Sequence, residues 1–187
     1  MNILLHICCA PCSIYPIESI EAKGHRIAGY YYNPNIHPYS EYLKRKEEAD
    51  KYSKEVGINL MAGEYDLEKY FQFVNYNEKP ENRCPMCWWM RLEESAKFAK
   101  ENGFEAFTTT LLGSPYQDHD VIKNIAEDVA QKAGIKFYYE DFRPGFKKAL
   151  GEAKSKAIYC QNYCGCIFSE KERLEKKASA HGKEKKK

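Results

Sequence analysis

Ile3-Leu4-Leu5-His6-Ile7-Cys8-Cys9-Ala10-Pro11-Cys12 is the stretch that decides the reading of this chain. An apolar run of strand length ends in three cysteines within five positions, and a proline closes the turn. A nearly unbroken apolar run over residues 2–8 predicts a strand buried on both faces, as in a parallel sheet. Two later groups answer it: Cys84-Pro85-Met86-Cys87, and Cys160 with Tyr163-Cys164-Gly165-Cys166. All eight cysteines of the 187-residue chain fall in these three groups.

Outward from that stretch, apolar patterning alternates strand with helix. A helix is expected over 14–23 with Gly24 as its C-cap, a strand over 26–32, a helix over 39–56, and a strand over 58–64. Asp66 caps a short helix through Phe73, residues 75–83 read as a polar loop, and a long helix runs from Cys84 to Glu101. Residues 104–112 form a fourth strand, 118–133 a helix, 136–140 a fifth strand, 145–156 a helix and 169–179 the last one. Strands alternating with helices of ten or more residues imply βαβ units and a parallel sheet covered on both faces. The predicted class is α/β, with one Rossmann-like sheet of about five strands in a single domain over 1–179 and a basic, disordered tail over 180–187. In such sheets ligands sit beyond the C-terminal ends of the strands. Cys8-Cys9, Thr108-Thr109-Thr110 and Asp141 all fall there.

Composition narrows the class. Hydrophobic residues make up 43% and charged residues 30%, which suits a globular chain. A net charge of +2 implies no particular partner. No apolar run approaches a membrane span and no secretory signal opens the chain, so a cytoplasmic location is expected. In a reducing cytoplasm, clustered cysteines read as metal ligands or redox groups ahead of structural disulfides.

Thiolates are the soft ligands of zinc and of iron–sulfur clusters. Cys84/Cys87 and Cys9/Cys12 share CxxC spacing, and Cys164/Cys166 is a tight CxC. A helix start under Cys84/Cys87 would add the helix dipole and favour the thiolate. One cubane cluster or one structural zinc uses four thiolates, which leaves a surplus for a second metal or for redox chemistry. Structural zinc with a few buried cysteines is the plain alternative. The placement of the first group at the end of a core strand favours function.

Five motifs in order resemble the cobalamin-independent epoxyqueuosine reductases. They are His6-Ile7-Cys8-Cys9-Ala10-Pro11-Cys12, Arg83-Cys84-Pro85-Met86-Cys87, Thr108 through Gln117, Asp141-Phe142-Arg143, and Gln161-Asn162-Tyr163-Cys164-Gly165-Cys166. The resemblance covers residues 2–170 and implies an adenine-nucleotide hydrolase-like fold. It implies reduction of the epoxide of epoxyqueuosine at the wobble base of tRNA. It also implies a 4Fe–4S cluster and a neighbouring mononuclear iron (a site where zinc is a candidate as isolated) held by Cys8, Cys9, Cys12, Cys84, Cys87, Cys164 and Cys166. Electrons would come from a donor such as ferredoxin or flavodoxin. Cys160 stands where the resemblance leads one to expect arginine, which marks it as dispensable.

Candidate proton donors are Asp141, His6 and Tyr116. For His6 the alternative is a satisfied core histidine, and for Asp141 an Asx turn or an ion pair with Arg143. Candidate tRNA contacts are Lys44, Arg45, Lys46, Arg83 and Arg91 for phosphates, and Tyr31, Tyr32, Tyr39, Trp88 and Trp89 for stacking. A tRNA-sulfurating ATP pyrophosphatase shares the fold, but it needs a glycine-rich loop where this chain has Cys-Cys-Ala-Pro-Cys. A non-catalytic zinc protein that binds RNA is the other alternative, and a dithiol–disulfide oxidoreductase would need fewer cysteines.

Overall fold

A computed structural model describes residues 1–184, with side chains described through residue 180. Its elements are β1 (Asn2–His6), α1 (Ala10–Ala22), β2 (Arg26–Tyr31), α2 (Tyr39–Glu55), β3 (Leu60–Ala62), α3 (Leu67–Val74) and α4 (Pro80–Glu101). There follow β4 (Ala106–Thr109), a 3-10 turn (Thr110–Gly113), α5 (His119–Ala133), β5 (Lys136–Phe137), a second 3-10 turn (Arg143–Gly145), α6 (Phe146–Ser155) and α7 (Ile167–Glu184). The five strands form one sheet in the order β3-β2-β1-β4-β5, and every neighbouring pair is parallel.

The most apolar strand takes the centre. Ile3, Leu4 and Leu5 of β1 and Phe107 of β4 are fully buried, because helices cover both faces. One face packs against α4 and α5 through Leu92, Ala96, Ile122 and Ala126; the other packs against α1 and α2 through Ile14, Ile17, Ala49 and Tyr52. From β1 the chain winds one way through β2 and β3 and the other way through β4 and β5. The order therefore reverses between β1 and β4, and a crevice opens past their C-terminal ends.

The sequence-predicted elements all exist, and their ends differ for identifiable reasons. β1 stops at His6 rather than residue 8, and α1 begins at Ala10 rather than Ile14. Cys9 is the extended N-cap residue of α1, and Pro11 sits in the first turn, where no backbone N–H is needed. The fourth strand ends at Thr109 because its own hydroxyl accepts from Leu111 N at 3.1 Å and turns the chain into a 3-10 turn. Asp66 caps α3 as expected, accepting from Lys69 N at 2.8 Å. α4 starts at Pro80, a full turn before Cys84, so the predicted loop is confined to residues 75–79. α7 runs through Glu184 into the predicted tail, of which residues 185–187 lie outside the described residues.

Gly145, which leads into α6, shows how tightly the crevice wall is built. A Cβ there would run into the Tyr15 ring of α1. Since the Gly145 backbone is ordinary (φ −84°), only space demands glycine. Gly145→Ala is expected to lower the unfolding free energy in urea by about 1–3 kcal/mol. An unchanged denaturation midpoint would mean that the Tyr15 ring moves aside freely.

Candidate metal-thiolate site

The turn after β1 is pinned to the end of β4. Cys8 N donates to Thr110 Oγ1 at 3.1 Å, and the same hydroxyl donates to Cys8 Sγ at 3.2 Å. One residue inward, His6 Nδ1 meets Thr109 Oγ1 at 2.8 Å and His6 Nε2 meets Tyr32 O at 3.2 Å. The sulfurs of Cys8, Cys9 and Cys12 consequently lie within 4.8 Å of one another at the switch point. Cys9 and Cys12 are joined by a disulfide, with their Cα atoms 5.4 Å apart. The sequence ranks metal ligands and redox groups ahead of disulfides; this pair is bonded here, while its sulfurs and that of Cys8 remain close enough to hold a metal once it is reduced. The N-cap and the first turn of one helix bring these two side chains together, and only reduction frees both sulfurs to bind a metal.

Cys84 and Cys87 stand in the second turn of α4, beyond the reach of its dipole, which fades after the first turn. This overturns the expectation of a thiolate-favouring helix start. Burial instead pushes the Cys84 thiol up, and pushes the buried Cys87 thiol up to about 11 although Arg91 lies beside it. Without a cation in place of the proton, Cys87 stays protonated at neutral pH.

Cys164 and Cys166 are carried by a loop laced onto the segment after β2. His37 N donates to Gly165 O at 2.8 Å, Tyr163 Oη donates to His37 O at 2.5 Å, and Arg45 Nη1 donates to Cys164 O at 3.1 Å. Gly165 has φ +120°, and a Cβ there would lie 2.8 Å from Ile36 Cγ1, so the middle of the CxC has to be glycine. Tyr70 Oη donates to Cys166 Sγ at 3.2 Å, and Cys164 Sγ lies 3.0 Å from Ser169 Oγ. The Cys166 thiol keeps its proton and donates it toward Cys164, which holds the Cys164 thiol below its usual value. Cys84 and Cys87 are electrostatically coupled to Cys164, and Cys87, Cys164 and Cys166 to Tyr70, so the second and third motifs form one neighbourhood.

A cavity of about 330 Å³ joins the two sulfur neighbourhoods. Cys8, Cys12 and Cys164 lie in its wall, with Cys160 beside them. Aromatic faces from Tyr15, Phe142, Phe146 and Tyr163 line it, and Tyr116, 85% exposed, stands over its mouth edge-on to Phe146.

Among the three candidate acids, only Tyr116 reaches this cavity. His6 is fully buried between Thr109 and Tyr32; burial, with the Arg91 charge adding to it, holds its imidazole well below the usual range. It is a neutral core histidine. Asp141 is gripped by Arg143, which donates from its backbone N at 3.0 Å, from Nε at 2.8 Å and from Nη2 at 2.7 Å. That partner holds the Asp141 carboxyl below its ordinary value, so it carries no proton to give. Both the Asx turn and the ion pair weighed in the sequence are present.

Most of the candidate nucleic-acid residues face inward, because long cationic side chains near the loops are spent on tying them down. Arg45 pairs with Glu41 at 2.7 Å, and Arg83 pairs with Glu172 at 2.9 Å and donates to Glu78 O. Arg91 donates to Asn33 Oδ1 at 2.6 Å, and Asn33 in turn donates to Ile7 O at 2.9 Å. Tyr31, Tyr32 and Trp88 are buried, and Trp89 stacks on Phe73. Lys44, exposed and 3.5 Å above the Tyr159 ring, half-buried Lys46 and the 55% exposed Tyr39 remain on the surface.

The donor set suits a thiolate-bound metal. Seven sulfurs from three segments gather at one edge of the sheet, and two of them already receive hydroxyl hydrogen bonds, as ligating thiolates commonly do. Arg91 is 3% exposed, its Nε has no partner, and no carboxylate pairs with it among the described residues. A buried cation with only a neutral partner calls for negative charge nearby, and a thiolate cluster supplies it.

Fold and site together define an α/β protein whose cysteines cluster at the switch point of a parallel sheet, where Cys8, Cys9 and Cys12 lie close enough to hold a metal. Residues 3–172 match the family described as Epoxyqueuosine reductase QueH, and the chain belongs to that family. It is 38% identical over 188 residues to the Epoxyqueuosine reductase QueH of Thermotoga maritima, covering 95% of this chain and 94% of that one. It is 38% identical over 176 residues to the protein of the same name from Dehalococcoides mccartyi, covering 94% and 96%. A solved structure described as a predicted subunit of tRNA methyltransferase, from Methanocaldococcus jannaschii, superposes with a TM-score of 0.53 at 13% identity, over 82% of this chain and 74% of that one. At that identity it supports the fold alone.

The loop contacts carry a pH dependence. His37 is buried, its Nδ1 accepts from Ile167 N at 3.3 Å, and burial pushes its pKa down to about 4. The unfolded chain, with histidine near 6.5, binds more protons than the folded one between those values. Stability therefore falls as pH drops from about 6.5 to 4, by about 1.4 kcal/mol per pH unit from this residue. His37→Asn is expected to remove that share of the slope in urea titrations at several pH values; equal slopes would show that His37 titrates normally in the folded protein.

Proposed function

We propose that this chain is an epoxyqueuosine reductase of the cobalamin-independent kind. It would deoxygenate epoxyqueuosine to queuosine at the wobble position of a tRNA anticodon loop, in the cytoplasm. The reaction takes an epoxide, two electrons and two protons to an alkene and water. One observation carries the reading: sulfurs of two cysteine groups and a set of aromatic faces share a single cavity at the sheet's switch point. Chemistry on a base requires that base to leave its stack, which costs less in a loop than in a duplex.

The residues that would hold a 4Fe–4S cluster and a neighbouring iron are Cys8, Cys9, Cys12, Cys84, Cys87, Cys164 and Cys166. When bound, the pair supplies electrons one at a time, delivered by a donor such as ferredoxin or flavodoxin, and a Lewis-acidic metal. The chain's own residues do the rest. Arg91 and Arg83 offset the charge of the thiolates, and Tyr70 and Thr110 orient two sulfurs. Tyr15, Phe142 and Phe146, which line the cavity, would exclude water and pack against a flat base. The Tyr116 hydroxyl, at the cavity, would give a proton to the departing oxygen.

The sulfurating ATP pyrophosphatase reading loses ground on the same site. The N-terminus of α1, where a triphosphate would sit, is occupied by Cys9 and Pro11, and no lysine or arginine lines the cavity among the described residues.

Anaerobic purification with iron, zinc and sulfide analysis tests the metal assignment. The expected result is a brown protein with sulfide and more iron than one cubane requires. A colourless protein holding stoichiometric zinc, unchanged by anaerobic reconstitution, would point to the non-catalytic RNA-binding alternative. With epoxyqueuosine-containing tRNA and a chemical reductant, Tyr116→Phe is expected to slow single turnover by about 10²-fold or more at unchanged iron content. Asp141→Asn is expected to stay within a few fold of wild type, since an exposed ion pair contributes only about 0–1 kcal/mol. The reverse ranking would return the acid to Asp141.

A further inference from the structure

We infer that Gln117 and Gln161 read the hydrogen-bonding edge of the base in the cavity, selecting one with two adjacent N–H donor groups, as guanine-type bases have. The inference rests on the reductase reading for the claim that a wobble base enters this cavity. Gln117 lies between the turn after β4 and the N-cap residue of α5, and Gln161 opens the loop that carries Cys164 and Cys166. They line the same cavity from two separate segments of the chain.

Each holds its side-chain Oε1 buried with no donor. An unsatisfied buried acceptor is costly to a protein, and native structures contain few of them. Two in the wall of one cavity mark places kept for donors that come with a ligand. The terminal torsion of glutamine is broad and roughly two-fold, so either oxygen turns toward a donor in the cavity without disturbing the chain.

The rest of the wall limits what that ligand is. None of the lining residues is Asp, Glu, Lys or Arg, so away from the sulfurs the wall offers an occupant no ion pair. The Thr110 hydroxyl is already committed to Cys8, and Ser114 Oγ accepts from Tyr116 N at 3.3 Å. The aromatic faces suit a flat heterocycle. A guanine-type edge offers a ring N–H beside an exocyclic amino group, two donors for two acceptor oxygens. Adenine presents one amino group next to an acceptor nitrogen, and uracil one N–H flanked by two carbonyls. Neither fills both glutamine oxygens, and a pocket that leaves a buried polar group unpaired rejects the ligand responsible.

The test uses anticodon stem-loop RNAs with guanosine or inosine at the wobble position. Inosine lacks only the exocyclic 2-amino group. Binding to the anaerobically purified full-length protein is read by fluorescence anisotropy. Wild type is expected to prefer the guanosine loop by about tenfold. The double variant Gln117→Leu/Gln161→Leu is expected to bind the two loops alike. Gln117→Glu and Gln161→Glu, which keep acceptor oxygens, are expected to retain the preference. Equal binding by wild type, a preference that survives the double leucine variant, or no binding of either loop would overturn the inference. Turnover of an epoxyqueuosine-containing loop, assayed on the same wild-type preparation, separates the two claims. Turnover without a guanosine preference rejects the glutamine assignment alone; absence of both rejects the reductase reading as well. The wild-type comparison involves no substitution, so it stands even where the leucine variant folds poorly.

Discussion

A single hydroxyl, that of Thr110, ties together the two strand ends between which the sheet reverses direction. It accepts from the backbone of Cys8 and donates to the same residue's sulfur. With the His6–Thr109 contact one step inward, it sets where the chain leaves β1 and how α1 begins. The cysteine positions at the head of α1, the angle of α1 against α6 and the shape of the cavity between them all depend on that pin. Buried between two strands that are themselves apolar and covered, it is screened from water, where such a bond is strong and its loss costly.

The second constraint is charge. A group of sulfurs under a protein surface is acceptable as neutral thiols or as a metal complex, and this chain places cations so that the second state is supported. Arg91 reaches the cysteines from the same helix face as Cys87 and is held by Asn33, which also braces Ile7 at the end of β1. Arg83 sits one residue before Cys84 and is neutralised by Glu172 of α7. Arg45 spends its guanidinium on Glu41 and on the carbonyls of Tyr163 and Cys164. These arginines stabilise the site from within, so the surface that meets a polyanion has to rely on other residues.

Much of this was legible in the sequence because periodicity and punctuation report burial. The apolar run of β1, the alternation with long helices and the Asp66 cap were readable, and so was the gathering of cysteines at strand ends. Element ends were less legible, since Thr109 and Pro80 shift them through local hydrogen bonding and helix-start chemistry that hydropathy does not register. Arg45, Arg83 and Arg91 look like surface cations in a string of letters; only tertiary partners make them internal. His6 and Asp141 fell to their blander readings for the same reason. Gln117 and Gln161 carry no charge and no spacing signal. The one local hint was position, Gln117 ending the threonine motif and Gln161 beginning the last cysteine motif. The Cys9–Cys12 bond was obscured because CxxC spacing serves metals and disulfides equally well.

The thiol groups come from the first, middle and last parts of the chain, and the last is fastened by α7. Its Ile167 N reaches His37, its Phe168 ring lies under Arg83, and its Glu172 clamps that arginine. The donor set is therefore incomplete on a growing polypeptide until its final helix has emerged and docked. A metal that drew on all three groups could be fully bound only after synthesis, not during it.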